Sequence, residues 1–128
     1  MAAVVDSSGW IEHFLDSPQA EFFIEALSRG SDLIVPSLAL YEVHKRLSRA
    51  LPDEVVKICL NVMRRGQVVD LTPARAVAAS KVGQAHGLAL ADAVMYSTSL
   101  EFNATLWTQD VDYQGLPGVR YKAKFVPD

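Results

Sequence analysis

Four acidic residues in the sequence have the type and spacing needed to hold a divalent cation: Asp6, Glu42, Asp92 and Asp110. Asp6 directly follows a short apolar run, and Asp110 comes two residues after another. Carboxylates gathered within a few ångströms repel one another unless a proton or a cation intervenes. A site whose ligands are all oxygen atoms suits Mg²⁺ or Mn²⁺, and such ions activate water and orient phosphate groups. The acids therefore predict metal-assisted phosphoryl chemistry.

The elements that must position these acids alternate between short β-like runs and longer segments with helical spacing of apolar residues. Strands are predicted at residues 2–5, 33–35, 68–71, 104–108 and, more weakly, 119–122. Helices are predicted at residues 7–15, 18–27, 38–50, 52–65, 73–86 and 91–102. This alternation indicates βαβ units with right-handed crossovers, which place helices on both faces of a mostly parallel sheet. The predicted fold is an α/β three-layer sandwich.

Local signals mark several ends of these elements. Pro36 is predicted to stop the second strand, and Ser37 to act as the N-cap of the helix that follows. Thr72 and Pro73 have the pattern of an N-cap and a first helical residue, and Gly87 that of a helix end.

The predicted topology brings three of the acids to one edge of the sheet. Ligands of open α/β sheets bind beyond the carboxyl ends of the strands, where the strand order reverses. Asp6 and Asp110 follow strands, and Glu42 lies early in the helix after the second strand. Asp92 begins a helix that precedes its strand, so this argument does not place it at the same edge.

Each acid taken singly also has a structural explanation. Asp6 and Asp92 have the position of helix N-caps. Glu42 is followed three and four residues later by basic residues, as in a solvated helix pair. Asp110 has the position of a turn residue. The order and spacing of all four acids together favour a shared site.

Composition limits the classes of partner. The formal net charge is −3, whereas nucleic-acid-binding domains are usually basic, so binding to RNA would depend on local basic patches. The candidate patches are Lys45, Arg46 and Arg49; Arg64 and Arg65; and Arg120, Lys122 and Lys124. For each patch, solvated surface charge is the favoured interpretation.

Other features indicate a protein of the reducing cytoplasm with no membrane association. The single cysteine, Cys59, cannot form an internal disulfide and is read as a small buried apolar residue. The N-terminus lacks the basic and apolar regions of a signal peptide, and no apolar run approaches the ~18 residues of a membrane span.

Histidines and aromatic residues suggest no second site. The histidines lack metal-ligand spacing and are expected at the surface or at helix ends: His13, His44 and His86. Aromatic residues at helical spacing predict core or subunit-interface packing rather than base stacking: Trp10, Phe14, Phe22 and Phe23.

The sequence resembles the PIN-domain nucleases and, among them, the VapC-like toxins of prokaryotic toxin–antitoxin pairs. Four segments carry the resemblance: VVDSS at 4–8, PSLALYEV at 36–43, LALADAV at 88–94 and ATLWTQDVDY at 104–113. They span essentially the whole chain, and the last two are the most specific. The resemblance implies one PIN-like nuclease domain over residues 1–128.

The resemblance also implies roles for individual residues. Asp6 and Asp92 correspond to the principal metal ligands, and Asp110 to a further ligand or a supporting acid. Glu42 corresponds to a ligand through water or to the group that orients the attacking water. Supporting roles fall to Ser7 and Thr108. Asp112 corresponds less well than Asp110, and Tyr113 stands where the family often has Phe, with no role implied for its hydroxyl.

The activity implied by the resemblance is Mg²⁺-dependent hydrolysis of RNA, with Mn²⁺ able to substitute, leaving a 5′-phosphate and a 3′-hydroxyl. The implied partners are an antitoxin, whose arginine reaches the acidic site, and a second copy of the chain. The antitoxin would bind DNA, because this sequence contains no DNA-reading motif of its own.

Three alternatives to a nuclease fit the sequence less well. A haloacid-dehalogenase-type phosphatase needs a second Asp two residues after the first, and Ser8 stands there. A response-regulator receiver needs an Asp after a middle strand and a late Lys, and neither is evident. A non-catalytic PIN-fold binding module would have no physical reason to keep four mutually repelling carboxylates.

Overall fold

The central sheet is fully parallel. The computed structural model describes residues 1–124. Its strands are β1 (Ala3–Val5), β2 (Leu33–Pro36), β3 (Gln67–Val69), β4 (Thr105–Thr108) and β5 (Val119–Tyr121). They lie in the order β3-β2-β1-β4-β5, so β1 is central and pairs with β2 on one side and β4 on the other. The chain therefore moves outward from β1 in one direction and then returns to extend the sheet in the other.

Helices cover both faces of the sheet. They are α1 (Ser7–Phe14), α2 (Ala20–Leu27), α3 (Ser37–Leu47), α4 (Asp53–Met63), α5 (Pro73–His86) and α6 (Leu90–Glu101). Helix α1 packs on α2 and α3, whereas α5 packs on α6, which lies against β1, β2 and β4. Right-handed crossovers in opposite directions along the sheet put these two groups on opposite faces. The predicted three-layer sandwich is confirmed. No helix in residues 1–124 is long and apolar enough to span a bilayer.

Strands β1 and β2 are apolar throughout because both of their faces are covered. All of β1 and β2 is buried, and the helices add the fully buried side chains of Phe23, Leu47 and Met95. At Gly9, an added Cβ would lie 2.6 Å from Val5 Cγ1. The absence of a side chain there allows α1 to start close to β1, immediately after Asp6.

Several predicted boundaries differ from the structure by a few residues. Pro36 is the last residue of β2 and pairs only with β3, because pairing with β1 ends at Ile34. Its missing N–H therefore breaks no hydrogen bond to the central strand. Ser37 is the first residue of α3 and not its N-cap, and α3 ends at Leu47 rather than at residue 50. Helix ends vary in this way because terminal turns are weakly determined.

The predicted start and end of α5 are confirmed. The Thr72 side chain accepts a hydrogen bond from the Arg75 backbone N–H at 3.2 Å, and Pro73 is the first helical residue. Gly87 ends the helix with φ 67°, a left-handed conformation that glycine adopts without steric cost.

Candidate functional site

The candidate site lies at the carboxyl ends of β1 and β4, where the strand order reverses. The Asp6 backbone N–H donates to the Trp107 carbonyl at 3.0 Å, which continues the pairing of the two strands up to the site. Asp6 follows β1, and Asp110 follows β4 by two residues. The predicted approach of these two acids to one edge of the sheet follows directly from this pairing.

Asp6 is the most buried of the acids, with only 7% of its surface exposed. Its carboxylate accepts hydrogen bonds from the Ser7 N–H at 2.9 Å, the Ser8 hydroxyl at 3.3 Å and the Thr108 hydroxyl at 3.0 Å. Burial raises the pKa of Asp6 to about 6; the hydrogen bond from Thr108 opposes this shift, and the charge of Asp92 adds to it. Asp6 is the N-cap of α1, and it also lines the same cavity as Asp92 and Asp110.

Three carboxylates form a compact group beside Asp6. Asp92, Asp110 and Asp112 each offer one oxygen, and these oxygens lie within 4.8 Å of one another. The Asp110 side chain also accepts a hydrogen bond from the Asp112 N–H at 2.9 Å. Asp110 is therefore both a turn residue and a member of the group of carboxylates. The resemblance favoured Asp110 over Asp112 as a site residue, yet the structure brings both into the group. Asp92 lies in the first turn of α6, whose N-cap is Ala89, so Asp92 is not the cap.

Tyr113, which is buried in the protein interior, hydrogen-bonds to Asp92. Its hydroxyl donates to Asp92 Oδ1 at 3.1 Å and lies 3.2 Å from the Asp92 carbonyl oxygen. Burial, followed by the charge of Asp110, raises the pKa of Asp92, whereas the hydrogen bond from Tyr113 opposes the shift. Burial raises the pKa of Tyr113 itself, so this phenol stays a donor. Sequence reasoning missed this contact because Tyr and Phe fill the same core position.

Glu42 is oriented by a residue of a different helix. The Ser7 hydroxyl donates to Glu42 Oε1 at 2.6 Å, which joins α1 to α3. Within residues 1–124, Glu42 makes no ion pair with Lys45 or Arg46, so the solvated helix pair considered from sequence is absent there. Glu42 also adds to the negative charge that raises the pKa of Asp92.

Thr108 connects two of the acids. It is fully buried, and its hydroxyl donates to Asp6 while accepting from the Asp110 N–H at 2.9 Å. A buried hydroxyl with both roles filled has one orientation, so it sets the position of Asp6 relative to the chain that carries Asp110.

A cavity of about 510 Å³ opens in front of the acids and has charges of both signs on its walls. Asp6, Glu42, Asp92 and Asp110 line it, together with the cations Lys45, Arg46, Arg49 and Lys124. The other candidate basic residues do not line this cavity. Arg64 and Arg65 follow α4, and Lys122 lines a separate small cavity. The Arg120 guanidinium lies over the Trp107 ring, 4.6 Å from its centroid.

The residues present fit a divalent metal. All donors in the group are carboxylate oxygens, the ligands that Mg²⁺ and Mn²⁺ prefer. The raised pKa values of Asp6 and Asp92 show that uncompensated negative charge is unfavourable here, and a bound cation would relieve it. Asp92, Asp110 and Asp112 are the residues best placed to hold an ion, with Asp6 beside them.

Solved structures with the same fold include proteins of toxin–antitoxin assemblies. A chain of a toxin–antitoxin complex from Klebsiella pneumoniae aligns with TM-score 0.80 and 19% identity, covering 93% of this chain and 96% of that one. A chain of DNA-bound VapBC from Salmonella typhimurium aligns with TM-score 0.72 and 16% identity, covering 96% and 98%. A chain of VapBC2 from Rickettsia felis, in a structure bound to a DNA fragment from the VapBC2 promoter, aligns with TM-score 0.69 and 15% identity. The alignment covers 96% of this chain and 98% of that one.

Comparison with curated protein sequences gave no significant match. The PIN domain family, in contrast, matches residues 3–118, which is most of the chain. This match and the shared architecture agree with the resemblance found in the four acidic motifs. The chain therefore belongs to the PIN domain family.

Proposed function

We propose that this protein is a metal-dependent endoribonuclease and the toxin of a type II toxin–antitoxin pair. The observation that carries the proposal is the group formed by Asp92, Asp110 and Asp112, with their oxygens within 4.8 Å of one another and buried Asp6 alongside. Folding such a group costs free energy in the absence of a cation. Metal-assisted chemistry on a phosphate would account for keeping it.

The proposed metal ligands are Asp6, Asp92 and Asp110, with Asp112 added by its position. A bound Mg²⁺, or Mn²⁺ in its place, supplies water activation and charge stabilisation on the phosphate oxygens. Thr108 and Ser7 keep Asp6 and Glu42 in place through the hydrogen bonds described above. Glu42, held toward the cavity, would orient the attacking water through its free carboxylate oxygen. Water adds to phosphorus and the bond to the 3′ oxygen breaks, leaving a 5′-phosphate and a 3′-hydroxyl.

The proposed protein partners are an antitoxin and a second copy of the chain, in the cytoplasm. The support is the fold shared with chains of toxin–antitoxin assemblies. The acids at the cavity would accept a guanidinium, which can form paired hydrogen bonds with a carboxylate and replace the charge of the metal. The antitoxin, rather than this chain, would contact DNA.

The test is cleavage of 5′-labelled RNA by wild-type protein in Mg²⁺ and in EDTA, beside an Asp92→Asn variant purified identically. Asp32→Asn is the matched control, because Asp32 is exposed and does not line the cavity. We expect cleavage that requires the ion, disappears in Asp92→Asn and persists in Asp32→Asn.

Two outcomes would contradict the proposal. Equal cleavage by wild type and Asp92→Asn would indicate a contaminating ribonuclease rather than this protein. No cleavage of several RNA classes, together with no ion-dependent rise in unfolding temperature, would indicate a non-catalytic binding module.

A further inference from the structure

Tyr41 presents an aromatic ring to the cavity that holds the acids. It precedes Glu42 on α3 and lines the cavity, with 61% of its surface exposed. Among residues 1–124, no Phe, Trp or other Tyr is as exposed: Trp10, Phe23, Tyr96, Trp107 and Tyr113 are all buried. Packing within the chain therefore does not account for the ring at this position.

A row of cations continues from Tyr41 along α3 and into the turn that follows it. Lys45 Nζ lies 5.9 Å from the centroid of the Tyr41 ring, and Arg46 and Arg49 line the same cavity. Tyr41 and Lys45 are four residues apart on one face of α3, and Arg49 follows four residues later in the turn just beyond the end of the helix at Leu47. Lys45, Arg46 and Arg49, here called the basic row, form no ion pair within residues 1–124.

We infer that Tyr41 stacks on an unpaired RNA base next to the scissile phosphate, while the basic row contacts the following backbone phosphates. This inference rests on the proposed ribonuclease function and adds a base-binding subsite to it. Aromatic side chains interleaved with cations are the means by which proteins hold single-stranded nucleic acid, because every base offers a face for stacking. The acids then hold the reacting phosphate at one end, and the basic row directs the strand away from it.

The charge distribution favours RNA over a protein partner on this face. The arginine proposed for the antitoxin would be held by Asp92 and Asp110, whereas the basic row beside Tyr41 attracts an anionic strand and not a cationic peptide. An RNA strand with one phosphate at the metal ion held by the acids, and its next phosphates along the basic row, would meet attractive charge at each of these phosphates. The exposed ring beside these cations provides the stacking contact that sets the position of the strand.

The test is binding of a short, unstructured, labelled RNA in Mg²⁺, measured by fluorescence anisotropy in an Asp92→Asn background so that the RNA is not cut. Base stacking predicts that Tyr41→Ala weakens affinity about 5- to 150-fold, while Tyr41→Phe and Tyr41→Trp retain it. Val77→Ala is the control, because Val77 is similarly exposed at 57%, lies on α5 and does not line the cavity. Arg49→Ala should reduce the slope of log affinity against log salt by about one, and Arg64→Ala less.

An abasic residue moved one position at a time along the RNA separates stacking from other effects. We expect one position at which the abasic RNA binds wild type and Tyr41→Ala equally, because the base that stacks on the ring is missing. Unchanged RNA binding by Tyr41→Ala would overturn the inference and leave a protein partner as the occupant of this face. Equal weakening by Tyr41→Phe and Tyr41→Ala would also overturn it, since a hydroxyl contact would then be responsible.

Failure of this inference is distinguishable from failure of the proposed function. If wild type cuts RNA but Tyr41→Ala binds it unchanged, only the base-stacking inference is wrong. If wild type binds RNA through Tyr41 but never cuts it in Mg²⁺ or Mn²⁺, the stacking of a base on Tyr41 holds, its place beside a scissile phosphate does not, and the ribonuclease proposal fails. If wild type neither binds nor cuts RNA, both are wrong.

Discussion

The hydroxyl of Tyr113 donates a hydrogen bond to the carboxylate of Asp92, with 3.1 Å between the two oxygens. Tyr113 is fully buried in the turn after β4, whereas Asp92 is half-buried in the first turn of α6. The core of the protein therefore contributes a donor to the acidic cluster, fixes one carboxylate and favours its ionised form.

Tyr113→Phe should impair function more than folding. The ring still fills the core, so we expect a loss of about 1–2 kcal/mol in the free energy of unfolding from the missing hydrogen bond. Cleavage of RNA should fall about tenfold, because Asp92 is less well held and more easily protonated. Tyr96→Phe is the matched control, because it removes the hydrogen bond that the Tyr96 hydroxyl donates to the Pro117 carbonyl at 2.7 Å, away from the acids. Equal losses of activity in the two variants would contradict a specific role for Tyr113.

Asp6 should make the metal-free protein less stable as pH rises. Its pKa is about 6 in the folded chain against 3.8 for an ordinary Asp, so the folded state binds the proton more tightly than the unfolded state. Stability should therefore increase as pH falls from above 6 to about 4, by about 3 kcal/mol at most. In EDTA, Asp6→Asn should be more stable than wild type at pH 7 and lose this advantage by pH 4. Denaturation at a series of pH values tests this; an advantage independent of pH would contradict it.

Thr108→Val should disturb the cluster although it preserves side-chain shape. The hydroxyl that donates to Asp6 and accepts from the Asp110 N–H would be lost, which deprives that N–H of its acceptor and Asp6 of one of its donors at a cost of about 1–3 kcal/mol. Thr108→Ser should retain both bonds and most of the activity. Thr98→Val is the control, because the Thr98 hydroxyl donates only to the Val94 carbonyl within its own helix. Loss of activity in Thr108→Ser but not in Thr108→Val would show that the methyl group, and not the hydroxyl, matters.

Asp112 should contribute to ion binding. Saturating Mg²⁺ should stabilise wild type by about 1–3 kcal/mol, measured as a rise in unfolding temperature that EDTA reverses. Asp112→Asn should reduce this rise, because one of three grouped carboxylates is lost. Asp32→Asn should not. An unchanged response to Mg²⁺ in Asp112→Asn would support the lower rank that the sequence assigned to Asp112.

Local patterns in the amino-acid sequence were enough to predict the α/β order, a mostly parallel sheet and the approach of Asp6 and Asp110 to one edge of it. These follow from local rules: apolar runs of strand length, helical spacing between them, and the convergence of parallel strands at their carboxyl ends. The same rules could not place Asp92, because two helices, α5 and α6, lie between β3 and β4, and the order of elements does not say at which edge of the sheet α6 begins. Its position depends on how α6 packs across β1, β2 and β4.

Packing in three dimensions set the contacts that hold the acids. The partners Thr108 with Asp6, Ser7 with Glu42 and Tyr113 with Asp92 are 102, 35 and 21 residues apart. Packing also places the basic row in the wall of the cavity that holds the acids, whereas Arg64 and Arg65 do not line that cavity. Hydrogen bonds and cavity walls depend on where side chains from different elements meet, and that is set by packing in three dimensions rather than by spacing along the chain.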